Sequence, residues 1–316
     1  MNHEFLQDVL AGFSQPQKSL SPKWLYDECG SELFEKITKT EDYYVTRTEE
    51  AIMRIVLGEL PALLGPGPAI TEFGSGAGIK SRRLIKAAEP SVYVMVDVAD
   101  EFLRSSADAL SADFPDVDIH GVLGDFLGEV DLPSVFLNAP SRVGFFPGST
   151  IGNFDKGGAE AFLAGARRDL GEGSRFLLGA DLVKDEDVLI AAYDDRQQLT
   201  AAFTLNLLHR INRELGASID VECFRHVALW NNEERRIEIY AEATKAQEIV
   251  IAGETFHFTQ GERLHAENSH KFSRGSMTRI AARAGWDVEA YWTDPKEWFG
   301  VFLLKAQSSD EGTSTP

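Results

Sequence analysis

The stretch Ala69-Ile70-Thr71-Glu72-Phe73-Gly74-Ser75-Gly76-Ala77-Gly78-Ile79-Lys80 sets three alternating glycines between a short apolar run and a helical pattern. Glycines are needed where a strand turns sharply into a helix and a ligand approaches the backbone. N–H groups at the start of that helix suit a carboxylate or a phosphate. At the nucleotide-binding spacing of about 20 residues, Tyr93-Val94-Met95-Val96-Asp97 reads as a second buried strand ending in an acid, fit to hold paired ribose hydroxyls. A third strand from Asp118 closes on Asp125 and Phe126, an acid and an aromatic. Three such strand ends in succession point to a nucleoside-bearing cofactor laid across the C-terminal ends of parallel strands. A fourth apolar strand, Val143 to Phe146, runs into Pro147-Gly148-Ser149-Thr150-Ile151-Gly152-Asn153. Open α/β sheets keep their sites at such turns. Asn153 offers an amide donor and acceptor there, and it fits equally as the cap of a helix starting near Asp155-Lys156. Asp181, near the end of a fifth strand, is a further candidate.

From about 62 to 184 the chain alternates strands with helices, the pattern of a parallel α/β sheet. Upstream, Ser31 reads as the N-cap of a short helix. Thr46 or Thr48 reads as the cap of another, with Ile52, Ile55, Val56 and Leu60 on its apolar face. Tyr43 and Tyr44 precede it, and periodicity alone favours core packing for them over a lid. Tyr26 reads as a lid residue or a core aromatic. From 185 onward a long helical pattern through Tyr193, Phe203, Leu207 and Ile211 gives way to alternating strands, Phe224–Trp230, Arg236–Ala241 and Glu248–Ile251. Asn231-Asn232-Glu233-Glu234 marks a hairpin between the first two. An antiparallel block inside a parallel α/β chain predicts an inserted α+β domain. The stretch Leu264 to Ser273 is unusually polar for its position. A helix from Gly275 to Ala284 and strands Trp286–Tyr291 and Trp298–Leu304 then return to the first sheet. The expected division is 51–184 with 276–307 for the cofactor, 1–50 with 185–275 for the substrate, and a disordered tail at 308–316.

Among 316 residues the formal net charge is −19, which argues against a nucleic-acid partner because phosphate binding wants a surplus of Lys and Arg. The two cysteines, Cys29 and Cys223, give neither a disulfide framework nor a zinc pattern, so no metal is expected. No apolar run reaches the length of about 18 residues that a membrane helix needs. Met1-Asn2-His3-Glu4 lacks the basic start of a signal peptide. The expectation is a cytoplasmic protein, with a monomer as the default.

These stretches together resemble the class I S-adenosylmethionine-dependent methyltransferases, a Rossmann-like α/β fold. Within them the chain resembles the ergothioneine-pathway L-histidine Nα-methyltransferase family over roughly residues 20–305. The resemblance is carried by Pro22 to Asp27, Tyr43-Tyr44-Val45-Thr46-Arg47, Glu72 to Gly76, Thr150-Ile151-Gly152-Asn153, Ala191 to Asp195 and Glu267-Asn268-Ser269-His270-Lys271-Phe272. It implies S-adenosylmethionine as cofactor, with Gly74, Ser75 and Gly76 against its methionine part and Lys80 helping to hold it. It implies Asp97 on the ribose and Asp125 with Phe126 on the adenine. For the substrate it implies histidine, with Asn153 and Tyr193 on the α-carboxylate, Asn153 also near the amine, and Tyr43 lining the site. Tyr43 and Asn153 are the implied catalytic residues. Glu267 and Ser269 would hold the imidazole: two apart on a strand they point the same way, and both can bond ring nitrogens that act as donor and acceptor. His265 and His270 are read as surface or structural. The implied product is hercynine, the α-N-trimethylated amino acid. Methylation of a ring nitrogen, or of another small amine, is the alternative on the same fold. A nicotinamide-dependent dehydrogenase is suggested by the glycines and Asp97, against a turn that is not G-x-G-x-x-G.

Overall fold

The computed structural model describes residues 2–74, 79–97, 100–124, 128 and 130–308, with the backbone alone at 79, 100–102 and 156. The chain divides into two compact units, residues 1–47 with 183–271 and residues 48–182 with 272–316. All but the first residue of the expected tail lies outside the described residues.

The second unit is built on a sheet of seven strands: β1 (Ala69–Phe73), β2 (Val92–Asp97), β3 (Asp118–Leu123), β4 (Arg142–Phe146), β5 (Arg175–Asp181), and at the chain's end β11 (Trp286–Thr293) and β12 (Phe299–Ala306). Their order is β11-β12-β5-β4-β1-β2-β3. Strands β1 to β5 pair in parallel, and β12 runs antiparallel to both its neighbours. Strands covered on both faces read as continuous apolar runs rather than alternating ones. Strand β2 does so, Val92 to Val96 being buried throughout. Because β1 pairs with both β2 and β4, the strand order reverses there, and such a switch point opens a crevice at the C-terminal ends of the strands.

Helices α4 (Ile79–Ala88), α5 (Asp100–Asp113), α6 (Ser134–Leu137), α7 (Lys156–Leu170) and α10 (Arg274–Arg283) connect the strands. Phe162, Leu163, Ala166 and Leu170 of α7 belong to one buried cluster with Phe73, Phe146, Phe176 and Trp286. The Trp286 indole N–H donates to the Leu163 carbonyl at 2.8 Å, which satisfies the cluster's one bulky polar edge. The N-cap of α7 is Asp155, whose carboxylate accepts from Gly158 N–H. Asn153 is therefore not the cap of that helix.

The first unit contains α1 (His3–Phe13), α2 (Glu28–Ile37), α8 (Glu186–Tyr193) and α9 (Leu199–Leu215). Its sheet takes β6 (Phe224–Asn231), β7 (Arg236–Ala243) and β10 (Arg263–His270) in the order β10-β7-β6, and β8 (Gln247–Ile251) with β9 (Glu254–Phe258) forms a separate hairpin. Helix α3 (Tyr44–Leu64) begins in this unit and continues into the other. Three local readings are corrected. Helix α2 is capped by Asp27, not Ser31, because the Asp27 carboxylate takes the Gly30 N–H. Helix α3 starts at Tyr44, ahead of Thr46 and Thr48. The long helical pattern after 185 is two helices, separated by a turn gathered on Asp195. That carboxylate is fully buried and accepts N–H bonds from Gln197, Leu199 and Thr200 at 2.7–3.1 Å. Burial acts to raise its pKa, but these bonds hold it below the ordinary aspartate value.

Gly144, in the middle of β4, has no room for a side chain. A Cβ there would lie 2.3 Å from the Phe176 ring and 2.9 Å from Leu170. Gly144→Ala is expected to destabilise the protein by about 1–3 kcal/mol through overpacking, read as a lower denaturation midpoint. An unchanged midpoint would mean that Phe176 can move aside.

Candidate functional site

In the second unit the strand ends carry the groups expected at them. Gly74 follows β1 with φ 70°, a conformation that L side chains avoid, and its N–H donates to the Val96 carbonyl of β2 at 2.8 Å. It is exposed, so its backbone is open to a ligand. Asp97 closes β2 half-buried, and its carbonyl accepts from Gly124 N–H at 3.0 Å. Ser75, Gly76, Asp125 and Phe126 lie outside the described residues. Asn153 ends a 3-10 turn, Thr150–Asn153, that follows β4. Ser149 enters that turn at φ 63° and accepts the Asp181 N–H on its hydroxyl at 2.8 Å. The turn that presents Asn153 is thereby tied to the end of β5.

Two buried acids brace these turns, and neither was singled out in the sequence as a bracing group. Glu49, 1% exposed, accepts from the Lys80 ammonium at 2.5 Å and from Gly148 N–H at 2.6 Å. Lys80 is the second residue of α4, and Gly148 lies in the turn after β4, so one carboxylate joins the two segments. The lysine expected beside the cofactor thus meets a protein acid. It is half-buried, and its charge is answered within the unit. Opposite, Gly179 leaves the room Glu49 needs, since a Cβ there would approach a carboxylate oxygen to 2.6 Å. Glu72, in β1 and 1% exposed, accepts from the Tyr93 hydroxyl at 2.8 Å and from the Ser81 hydroxyl of α4. Burial pushes its pKa up to about 7. The Ser81 and Tyr93 bonds and the Lys80 charge act the other way, and Asp97 adds to the rise.

In the first unit the substrate-side residues come together. Glu267, Ser269 and Lys271 follow one another at two-residue steps and are 6%, 4% and 3% exposed. A bulge between His265 and Glu267 shifts the register of β10 against β7. Leu264 and Ala266 are buried before the shift, and Glu267 and Ser269 after it. A bulge changes which alternate residues share a face, and here it turns a polar set inward. Ser269 Oγ lies 2.7 Å from the Tyr193 hydroxyl, and the Lys271 ammonium donates to both oxygens at 2.7 Å. Tyr193 ends α8, where its carbonyl lies 2.8 Å from Nε2 of His226 in β6. Nδ1 of that ring is 3.0 Å from the Thr204 hydroxyl. Burial holds the His226 pKa below the ordinary histidine value. The neutral ring thus donates from Nε2 to the carbonyl and accepts from Thr204 at Nδ1.

Tyr43 packs edge-on against Tyr193 with ring centroids 6.1 Å apart. Its carbonyl accepts from Arg47, and its N–H donates to the Thr40 hydroxyl. Tyr26 stands edge-on to Phe34 and Phe203. It keeps 39% of its surface, yet dense surroundings raise its pKa well above the ordinary tyrosine value, with Glu267, Tyr43 and Tyr193 adding to the rise. The reach of Glu267, Tyr43 and Tyr193 to its hydroxyl sets Tyr26 beside this cluster. Sequence reasoning left Tyr26 between lid and core and did not select Lys271. Among the described residues no group of three or more His, Cys, Asp or Glu is placed to hold a metal ion. None of their helices is long and apolar enough to cross a membrane.

The raised pKa of Glu72 sets a pH dependence of stability. Between the ordinary glutamate value of 4.5 and about 7 the folded chain holds a proton that the unfolded chain has released, so stability falls as pH rises through that window. Glu72→Gln keeps an acceptor for Ser81 and Tyr93 and removes the titration. Chemical denaturation at pH 5 and pH 8 is expected to show a smaller loss for the variant, by on the order of 2 kcal/mol. Parallel losses in the two proteins would contradict it.

The chain as a whole is similar to known proteins. A family described as histidine-specific, SAM-dependent methyltransferase matches residues 5–306. The histidine N-alpha-methyltransferase of Mycolicibacterium smegmatis is 39% identical over 306 residues, covering 94% of this chain and 93% of that protein. The protein of the same name from Mycobacterium tuberculosis is 38% identical, covering 94% and 93%. Ergothioneine biosynthesis protein 1 of Neurospora crassa is 30% identical over 89% of this chain and 32% of its own length. With this coverage and a sheet whose order reverses at β1 and β4, the chain belongs to the histidine-specific, SAM-dependent methyltransferase family.

Proposed function

We propose that this chain transfers methyl groups from S-adenosylmethionine to the α-amine of L-histidine, three times in succession, to give hercynine. The observation that carries the proposal is the buried face of β10, where a group that only accepts, Glu267, stands two residues from one that can donate, Ser269. A neutral imidazole offers one N–H and one lone pair on opposite sides of its ring, and this pair complements it. The tyrosines gathered around that face would supply the ring's apolar walls. In this proposal Tyr193 and Asn153 bind the α-carboxylate, Asn153 also meets the amine, and Tyr43 lines the reacting end. These roles are supported by the residue-by-residue resemblance to the family.

The strand ends of the second unit fit the cofactor: Gly74 is exposed in a left-handed conformation, and a half-buried acid closes the next strand. Gly74, Ser75 and Gly76 would hold the methionine part, Asp97 the ribose hydroxyls, and Asp125 with Phe126 the adenine. Lys80, bonded to Glu49, would brace the glycine turn against the turn that leads to Asn153. When bound, the sulfonium would supply an electrophilic methyl carbon: the neutral amine would bond to it as the C–S bond breaks, and the thioether, S-adenosylhomocysteine, would leave with the electron pair. The protein's own work is then alignment and exclusion of water. An α-amine is mostly protonated at neutral pH and must lose a proton before each attack. We assign that proton's exit to water beside the Tyr43 hydroxyl. We also take the enzyme to be a cytoplasmic monomer without a nucleic-acid partner; the net charge of −19 supports the last point.

Fragmentation mass spectrometry of the product made from S-adenosylmethionine and L-histidine tests the acceptor. Three methyl groups on the α-nitrogen are expected, and a methyl group on the ring would reverse the orientation proposed for the substrate. Tyr43→Phe is expected to lower kcat at each methylation by about tenfold with little change in KM. An unchanged kcat would remove the hydroxyl from the mechanism.

A further inference from the structure

Two of the stretches that resemble the family end in charged residues to which the reaction gives no role: Arg47 after Tyr43, and the acids after Tyr193. Arg47 organises the segment that holds Tyr43. Its guanidinium donates to the carbonyls of Thr40, Glu41 and Tyr43, the last two at 2.6 and 3.1 Å. A planar fork of donors thus folds residues 40–43 around itself.

The turn after Tyr193 has its own centre in Asp195. The N–H groups of Gln197, Leu199 and Thr200 go to the Asp195 carboxylate, and that of Gln198 goes to the Asp195 carbonyl at 2.9 Å. Every backbone donor in such a turn needs a partner. Arg196 N–H finds its partner outside the turn, in the Asp42 carboxylate at 3.1 Å. The Arg196 side chain follows the same route. Its Nε lies 3.1 Å from both Asp42 oxygens, and a terminal nitrogen lies 2.9 Å from one of them. One residue thus grips one carboxylate with backbone and side chain together. The Asp42 side chain keeps 13% of its surface and that of Arg196 keeps 74%, so the grip sits at the surface with its acid turned inward. Asp42 directly precedes Tyr43, and Arg196 closely follows Tyr193, and the rings of these two tyrosines stand edge-on.

We propose that Asp42 and Arg196 are positioning residues whose clasp sets Tyr43 against Tyr193, and through them the fit of the substrate. This rests on the reading above in which both tyrosines line the substrate site. The Asp42 carboxylate serves the clasp in two ways. It gives the exposed guanidinium a counter-charge, which salt screens and which alone contributes little. It also gives the Arg196 N–H an acceptor, which salt does not screen. An amide at 42 would keep the second and lose the first, and an alanine would lose both.

The test is calorimetric binding of L-histidine at low and high salt, with S-adenosylhomocysteine present so that no methyl transfer occurs. At low salt Kd for histidine is expected to rise about threefold in Asp42→Asn and about tenfold in Asp42→Ala. Raising the salt should weaken the wild type toward Asp42→Asn and leave that variant nearly unchanged. Arg196→Met should match Asp42→Asn, and the two changes together should be no worse than either, because both remove one interaction. Binding of S-adenosylhomocysteine should stay at the wild-type value throughout. Wild-type affinity for histidine in Asp42→Ala would overturn the clasp and leave the histidine reading standing. Equal weakening of both ligands would overturn it too, since that is the mark of a general loss of structure. Additive effects in the double variant would show that the two residues do not act through one another, against the proposal. A wild type that binds no histidine would sink the substrate reading, and this inference with it. If Asp42→Ala does not fold, Asp42→Asn and Arg196→Met carry the same test.

Discussion

A buried ammonium needs hydrogen-bond partners, and the cost of leaving it without them is several kcal/mol. Lys271 meets that constraint by binding Tyr193 and Ser269 together. To be there, Tyr193 must sit at the last position of α8, with its carbonyl on the neutral His226 ring, and the helix must stop where Asp195 collects the next N–H groups. Ser269 must face inward, which the bulge in β10 arranges. Helix end, bulge and histidine tautomer are thus parts of one solution to one buried charge. The solution leaves Glu267 and the Ser269 hydroxyl on the buried face of β10, an acid and a hydroxyl of the kind that bond imidazole nitrogens.

The other unit solves a similar problem with acids. Glu49 and Glu72 are buried at the strand ends, and each is held by partners from two chain segments. Glu49 keeps its position by joining a lysine and a backbone N–H. Glu72 accepts two hydroxyls, and its raised pKa shows that these bonds do not fully replace water. Glu49 ties the start of α4 to the turn that leads to Asn153, and Glu72 ties α4 to β2. Loops that bind ligands need such bracing if they are to present groups in fixed positions.

Much of the sheet was legible because parallel strands buried on both faces are written as continuous apolar runs. Tyr93 to Asp97 is one such run, and its last residue is the acid that closes the strand. Glycine at 74 was legible because the turn after β1 demands its backbone freedom, at φ 70°. Caps were not, because several polar residues competed for each helix start and the choice fell to contacts between segments. Asp27 wins over Ser31 while also bonding Asn206 and Arg213 of α9. Asp155 wins over Asn153, which leaves that amide to point elsewhere. The polar stretch on β10 looked out of place because a bulge cannot be read from alternation. Lys271 was hidden more deeply. Its meaning depends on Tyr193, 78 positions away, and nothing in its neighbours announces that contact. Lys80 was noticed for its position after the glycines, but its partner Glu49 lies 31 positions upstream in a helix that reads as ordinary.

The most direct test of the account is the protonation of the bound ring. L-Histidine labelled with 15N in the imidazole, held by the protein with S-adenosylhomocysteine near pH 6, reports each ring nitrogen separately by NMR. The account predicts one protonated and one unprotonated nitrogen, a single neutral tautomer, at a pH where much of the free amino acid is charged. Two protonated nitrogens in the bound state would contradict it: Ser269 would then be accepting from the ring, not donating to it.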